Sequence, residues 1–185
     1  MWGLTSLATL SDGSEIANPR WVKQFEKRLA RMNRELSRKQ RRSKNRARAR
    51  ERLRRLHQRI AGRRQSYLHP ITRALVERYD LLAFEKLNIR TMARSRLAKS
   101  ILDAAWGEFI RQLIYKAEEA GKLAIAVNPC GTTQICSGCG EKVPKKLWQR
   151  SHQCPRCGLS LGRDHNSARG ILRLGESLAA VSAEC

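Results

Sequence analysis

The stretch DLLAFEKL, residues 80–87, decides the fold class, because it is a short apolar run that ends near a carboxylate, Glu85. A second apolar run, LAIAVN, follows at residues 123–128. Between them, residues 98–120 repeat apolar side chains at helical spacing, and Gly121 is the expected C-cap. Strand, helix and strand in this order form a βαβ unit with two parallel strands. The sequence therefore predicts an α/β fold.

Upstream of this unit, the pattern indicates a β-hairpin and then helices. Residues 4–10 are compatible with a strand, and SDG at 11–13 is a turn signal. Asn18 and Pro19 are typical of a helix start, with Asn18 as the N-cap. Apolar residues then recur at steps of three and four, at Trp21, Phe25, Leu29, Met32 and Leu36. We expect two antiparallel helices joined near Ser43 to Asn45.

Two further helices are expected downstream. Leu68, Ile71, Leu75 and Tyr79 keep helical spacing and predict a separate helix after the hairpin. Residues 166–178 predict a helix that closes the chain.

The predicted helical hairpin, residues 19–64, is strongly basic. It holds twenty Lys or Arg against three acids, Glu26, Glu35 and Glu51. Most charge runs are solvated faces, but here the acid–base pairs that would relieve repulsion are nearly absent. We therefore expect the hairpin to bind nucleic-acid phosphates, and without an aromatic ladder to hold the backbone and not the bases. The candidate residues are Arg28, Arg31, Arg38, Lys39, Arg41, Arg42, Lys44, Arg46, Arg48 and Arg50.

Composition supports the same partner. The 185 residues carry a formal net charge of +22 with only 5% aromatic side chains, and their length suits one core with inserts. An apolar face rich in Trp and Phe, which a membrane surface would require, is not evident. Nor does the sequence contain a signal-peptide pattern or an apolar run of membrane-spanning length. These features predict a cytoplasmic, nucleoid-associated protein with no membrane partner.

Four of the six cysteines form two CxxC pairs separated by fourteen residues. The pairs are Cys136 with Cys139 and Cys154 with Cys157. Each CxxC turn aims two thiolates at one point, and a glycine follows each pair, as the turn requires. The spacing predicts a closed structural zinc site, with a redox dithiol as the alternative. Cys130 and Cys185 remain without a ligand role, and His152 is interpreted as a bystander.

Two carboxylates stand out beside this module. Glu85 ends the first predicted strand, and Asp164 in GRDHNSA starts a helix just after the second cysteine pair. Taken singly, Glu85 fits a solvated strand end and Asp164 fits an N-cap. Together they fit the carboxylates that gather at strand ends and hold magnesium ions for phosphodiester hydrolysis.

Several motifs in order resemble the C-terminal part of TnpB-type (OrfB) proteins, the RNA-guided nucleases encoded by insertion sequences. They are LTSLATLSDG, IANPR, the basic hairpin, FEKLNIR, LAKSILDAAWGEF, GTTQICSGCG, CPRCG and RDHNSARGIL. The resemblance covers nearly the whole chain. It implies a RuvC-like, RNase H-type fold with a zinc-ribbon insert. It also implies that Glu85 and Asp164 match the second and third catalytic carboxylates, and that the four paired cysteines match the zinc ligands.

One departure from the family bears on activity. The family's first catalytic Asp lies two residues before the glycine that corresponds to Gly3, and Met1 stands there. The resemblance therefore predicts a fold that lacks its first strand and a two-metal site that is incomplete, with magnesium expected only where the site is complete. The predicted domains are a partial RuvC-like domain at 1–129, a zinc ribbon at 130–160 and a closing helix and tail at 161–185.

The expected function is that of a truncated TnpB-like, transposase-associated protein that binds DNA, with guide RNA as a possible second partner, and does not cleave it. An active magnesium-dependent endonuclease whose start lies upstream is the first alternative. A non-enzymatic DNA- or RNA-binding protein that acts by occupancy is the second.

Overall fold

The computed structural model describes residues 1–146 and 148–183. In chain order the elements are β1 (Ser6–Thr9), β2 (Glu15–Ala17), α1 (Trp21–Ser37), α2 (Lys44–Arg78), β3 (Leu81–Glu85), α3 (Ile89–Met92), α4 (Ala98–Ala104), α5 (Trp106–Glu119), β4 (Leu123–Val127), β5 (Ser151–Gln153), β6 (Ser160–Gly162) and α6 (Arg163–Ala183). They belong to two compact units. The helical unit is Pro19–Ile71, and the α/β unit is Met1–Asn18 together with Thr72–Cys185.

The α/β unit is built on the predicted βαβ arrangement. Strands β3 and β4 pair in parallel, from Leu81 opposite Leu123 to Glu85 opposite Val127. Helix α5 packs against β4, and α6 packs against both strands. The predicted parallel pairing is therefore confirmed, and Glu85 lies at the carboxyl end of β3.

The predicted single helix at 98–120 is wrong, because it is divided into α4 and α5 at Ala105. Ala105 has a left-handed φ of 55°. Ala104 and Trp106, on either side of it, are both buried. Two residues apart on a continuous helix, these side chains would point about 200° apart, so they could not both face one core. The break brings both onto the buried side.

The end of α5 follows its prediction. Gly121 has a φ of 64°, its N–H donates to Glu118 O at 3.1 Å, and Lys122 N donates to Ala117 O at 2.8 Å. This pair of hydrogen bonds is the Schellman motif, which satisfies the last helical carbonyls. It turns the chain directly into β4.

The N-terminal β-hairpin is also confirmed, as β1 pairs antiparallel with β2. Its connection to α1 differs from expectation. Asn18 is not the N-cap, since its side chain donates to Leu4 O at 3.0 Å, and the cap position is Arg20, with a left-handed φ of 51°. The Asn18 amide thus ties the end of β2 back to the start of the β-hairpin instead of capping the helix.

The helical unit contains its own apolar core. Leu29 of α1 and Leu53, Leu56 and Ile60 of α2 are buried together. Around them pack Trp21, Val22, Phe25, Met32 and Leu36, so the predicted apolar stripe of α1 does face this core.

The expected separate helix at residues 68–79 is wrong, because α2 continues to Arg78 through Pro70. Ile60, the half-buried Arg64 and the buried Leu68 stay in step at intervals of four, so the inward face of the helix is uninterrupted. Across the described residues, no helix combines the length and the apolar character that crossing a membrane would require.

Candidate metal centre and nucleic-acid interface

The two CxxC pairs form one cluster. The Sγ atoms of Cys136, Cys139, Cys154 and Cys157 all lie within 4.8 Å of one another. The Cys136 and Cys157 sulfurs are 3.6 Å apart, and the Cys139 and Cys154 sulfurs are 3.5 Å apart. Around a tetrahedral zinc with bonds of about 2.3 Å, the sulfurs would be about 3.8 Å apart. The four thiols therefore fit a zinc ion.

The two turns that carry the sulfurs have the same local structure. Gly140 N donates to Cys136 O at 2.9 Å, and Gly158 N donates to Cys154 O at 3.0 Å. Both glycines have a left-handed φ, 78° and 72°. A side chain at either position would strain the turn, so the glycine after each pair has the role that the sequence predicted.

The electrostatics of the cluster favour a bound cation. The pKa of Cys154 is lowered to about 7, mainly by the backbone N–H of Cys157 and to a smaller extent by that of Arg156. The pKa of Cys157 is raised to about 12, because the Leu159 N–H that lowers it is outweighed by the neighbouring sulfurs and by burial. Four thiolates this close repel each other unless a cation neutralises them.

His152 lies outside the four-cysteine cluster. It is fully buried on β5, and its Nδ1 contacts Lys145 Nζ, which also donates to Thr133 O at 2.9 Å. Burial lowers the pKa of His152, and the Lys145 charge lowers it further. Of the two cysteines without a predicted ligand role, Cys130 is exposed and Cys185 lies outside the described residues.

Glu85 is held by buried hydrogen-bond donors. It is only 4% exposed, and Trp2 N donates to its Oε2 at 3.2 Å. The Thr132 hydroxyl lies 3.4 Å from its Oε1 and also 3.1 Å from Pro129 O. Trp2 is fixed in turn by its ring contacts with Phe84 and Phe109. Glu85 is thus an oriented buried carboxylate and not a solvated strand end.

Asp164 lies in the first turn of α6, where the helix N-terminus favours a negative charge. Its side chain is 37% exposed, and Arg163 Nε donates to its Oδ1 at 3.2 Å. Both carboxylates act electrostatically on the Met1 amino group. Burial lowers the pKa of that amine, and the charges of Glu85 and Asp164 oppose the shift.

The other side chains of RDHNSA connect α6 to its surroundings. His165 Nε2 is 3.1 Å from Ser11 O in the β-hairpin. Asn166 is fully buried, its Nδ2 donates to Ile135 O at 2.8 Å, and its Oδ1 accepts from Ser137 N at 2.9 Å. Sequence reasoning missed both Asn166 and Thr132, although each lies in a motif that carried the family resemblance.

Most of the residues predicted to contact phosphate are exposed on the helical unit. The exposed candidates are Arg28, Arg31, Arg38, Arg41, Arg42, Lys44, Arg48 and Arg50. Lys39 and Arg46 are half-buried. Arg46 has a structural role, since its guanidinium donates to Leu36 O at 3.0 Å and to Lys39 O at 3.1 Å. Glu51 pairs with Arg54 and Arg55, which are not among the candidates.

Two protein-family models match the chain. The model described as a probable transposase, OrfB of the IS605 type, matches residues 2–96. The model described as the TNB domain of Cas12f1-like proteins matches residues 106–171. The two matches lie on either side of the α4–α5 break, and the second includes the four-cysteine cluster and Asp164.

Individual relatives agree with these models. The "Putative RNA-guided DNA endonuclease InsQ" of Escherichia coli (strain K12) is 35% identical over 195 residues, covering 96% of this chain and 48% of that protein. The "Putative RNA-guided DNA endonuclease" of Streptomyces pristinaespiralis is 36% identical over 183 residues, covering 96% of this chain and 45% of that protein. The chain therefore spans about half the length of the relatives it matches.

A solved structure shares the fold. In the cryo-EM structure of a Cas12f1–sgRNA–target DNA complex, the matching chain superimposes with a TM-score of 0.56 at 18% identity. The match covers 92% of this chain and 47% of that chain. Since the probable-transposase model alone covers more than half of the 185 residues, the resemblance inferred from the motifs is confirmed. The chain belongs to the OrfB family of insertion-sequence proteins, the probable transposases.

Proposed function

We propose that the chain binds nucleic acid through its helical unit and holds a structural zinc ion at the four cysteines. Glu85 and Asp164 supply two carboxylate ligands for divalent metal on a RuvC-like fold. DNA is the proposed partner, with a guide RNA as a second one. The names of the two bacterial relatives, RNA-guided DNA endonucleases, support this choice.

The observation that carries the proposal is the group of exposed cations around the turn between α1 and α2. Arg38, Arg41, Arg42 and Lys44 are exposed, and in the described part of the chain none of them has an acidic partner. Such charges gain most from a polyanion, because each one placed on a phosphate releases condensed counterions. A protein surface or a small acid would neutralise only some of them.

A salt titration tests this interface. Binding of duplex DNA is measured by fluorescence anisotropy at several salt concentrations, for the wild type and for the double variant Arg41→Ala/Arg42→Ala. The slope of log K against log salt should become shallower by about 2, since each phosphate contact contributes about 0.9. The matched control is Arg54→Ala/Arg55→Ala, which removes the same charge from two side chains already paired with Glu51. Equal changes in the two doubles would refute a phosphate interface at the turn.

Zinc is proposed as a structural ion. Four thiolates complete a tetrahedron and leave no coordination position for substrate or water, so the ion would hold the fold and not act on a substrate.

The two carboxylates are proposed as part of a metal-dependent nuclease centre. Divalent ions held there would stabilise the attacking and leaving oxygens of a phosphodiester. Two carboxylates are fewer than the three that the family resemblance implies. We therefore expect the 185-residue polypeptide to bind DNA without efficient cleavage, because losing one anionic ligand reduces both metal occupancy and rate.

Incubation of the purified polypeptide with Mg²⁺ and labelled DNA checks this expectation. Binding without cleavage is the expected result. Cleavage that disappears in Glu85→Ala or Asp164→Ala would overturn the inactive assignment and support the nuclease alternative.

A further inference from the structure

One short segment, residues 131–137, contains the cluster ligand Cys136. The same segment makes hydrogen bonds to Glu85 and to Asn166, which lies two residues after Asp164. At one end of this segment Thr132 contacts Glu85, and at the other end the backbone around Cys136 contacts Asn166. We propose that Asn166 and Thr132 are positioning residues through which the metal-loaded cluster sets the positions of Asp164 and Glu85. This inference rests on the proposed function, in which the two carboxylates hold a divalent ion.

Asn166 attaches α6 to the first CxxC turn through hydrogen bonds to the residues before and after the proposed zinc ligand Cys136. Its amide accepts from Ser137 N at 2.9 Å and donates to Ile135 O at 2.8 Å, and these two residues flank Cys136. The side chain is fully buried, so both hydrogen bonds are shielded from water. Asp164 lies two residues earlier in the same helical turn. A shift of the Cys136 turn therefore moves the turn that carries Asp164.

A second contact reinforces this connection. Arg173, further along α6, donates from its guanidinium to Ser137 O at 2.9 Å. The first CxxC turn is thus attached to α6 at Ser137 by both its N–H and its carbonyl. Helix α6 and the turn should move together.

Thr132 makes the corresponding contact with the other carboxylate. It is 4% exposed, it lies four residues before Cys136, and its hydroxyl proton is shared between Glu85 Oε1 and Pro129 O. The other oxygen of Glu85 is held by Trp2 N. Removing the Thr132 hydroxyl would leave Oε1 without this donor and free the carboxylate to rotate.

Through these contacts the metal-loaded cluster would keep Asp164 and Glu85 in fixed positions. Without a metal ion, four crowded thiols do not hold the two CxxC turns together, and residues 131–137 lose their anchor. Hydrogen-bond partners behind a metal ligand typically change metal affinity by 10–100-fold when they are removed. Loss of either contact should therefore weaken divalent-ion binding at the carboxylates while the cysteine cluster still binds zinc.

The first experiment measures Mn²⁺ binding by EPR in the zinc-loaded 185-residue polypeptide. Asn166→Leu and Thr132→Val remove the polar contacts at similar volume, and both should weaken Mn²⁺ binding about tenfold or more while retaining one zinc per chain. Thr132→Ser keeps the hydroxyl and should restore wild-type affinity. Ser167→Ala is the control on the same turn, since the partner of its buried hydroxyl among the described residues is Arg163 O of its own helix. Wild-type Mn²⁺ affinity in both Asn166→Leu and Thr132→Val would overturn the proposal.

The second experiment does not depend on the carboxylates binding metal. Hydrogen exchange is followed in peptides covering residues 82–86 and 163–167, with zinc and after its removal. Zinc removal should accelerate exchange in both peptides, and zinc-loaded Asn166→Leu should accelerate it at 163–167. Unchanged exchange after zinc removal would refute the coupling. If Mn²⁺ binding in the wild type does not depend on Glu85 and Asp164, the proposed metal centre fails, and the exchange result still decides the coupling.

Discussion

At the scale of single residues, Gly175 fixes how closely α6 approaches β3. A Cβ atom at this position would overlap the Cβ of Ala83 on the strand. Asp164 is carried by the same helix and Glu85 by the same strand. The absence of one side chain therefore helps set the distance between the two carboxylates.

Gly175→Ala should lower the free energy of unfolding by about 1–3 kcal/mol, because the extra methyl must displace strand backbone or helix. Gly170→Ala is the matched control on α6, since a Cβ there meets no atom within 4 Å. The control should stabilise the protein by about 0.5–1 kcal/mol through its higher helix propensity. Urea unfolding monitored by circular dichroism measures both. A destabilisation of equal size in the two variants would contradict the close contact.

The thiols of the cluster predict how zinc affinity depends on pH. With a pKa raised to about 12, Cys157 is protonated at pH 8, so zinc binding must release its proton. Cys154, with a pKa lowered to about 7, is largely ionised at pH 8 and gains a proton as the pH falls below 7. Zinc affinity should therefore fall with decreasing pH, and more steeply below pH 7. Zinc titrations against a competing chelator from pH 6 to 8 measure this slope, and a constant affinity would contradict it.

At the scale of the elements, the end of α1 depends on a side chain from α2. Arg46 donates to Leu36 O and Lys39 O, which lie at and just beyond the last turn of α1. A cation at a helix C-terminus also interacts favourably with the helix dipole. One of the residues expected to bind phosphate thus closes the turn between the helices.

Arg46→Ala should destabilise the helical unit by about 1 kcal/mol, because two carbonyls lose a charged donor. Arg48→Ala removes the same charge from an exposed position and should leave stability unchanged. It should instead make the salt dependence of DNA binding shallower by about 0.9, the contribution of one phosphate contact. Thermal unfolding and anisotropy titrations separate the two effects. Equal stability of the two variants would show that Arg46 does not cap α1.

The elements also show which features a sequence can predict. Strands β3 and β4, the Gly121 cap and the two CxxC turns depend on neighbours in sequence, and all were predicted. The α4–α5 break at Ala105 places both Ala104 and Trp106 in the core, and the spacing of apolar residues in the sequence does not reveal this. Contacts made by Asn166 and Thr132 join residues 29 and 47 positions apart, so only the folded chain brings them together.

At the scale of the whole molecule, the candidate phosphate-binding residues and the candidate metal ligands lie in different units. The helical unit carries the candidate phosphate-binding cations and has its own apolar core around Leu29 and Leu56. The α/β unit carries the cysteine cluster and the two carboxylates. The helical unit is stabilised by its own apolar core, and the α/β unit contains the proposed zinc site. A substitution that unfolds part of one unit should therefore leave the other folded.

Cys154→Ser tests this separation. Loss of one thiolate should prevent stable zinc binding and unfold residues 130–160, because the free energy of metal binding is also the folding free energy of such a module. Salt-sensitive DNA binding by the helical unit should remain close to wild type. Cys130→Ser is the matched control, as this exposed cysteine lies outside the cluster and should change neither property. Limited proteolysis reports on residues 130–160, and anisotropy in increasing salt reports on DNA binding. If Cys154→Ser loses both properties to the same extent, the two units do not function independently, and the helical unit requires the metal-loaded α/β unit to bind DNA.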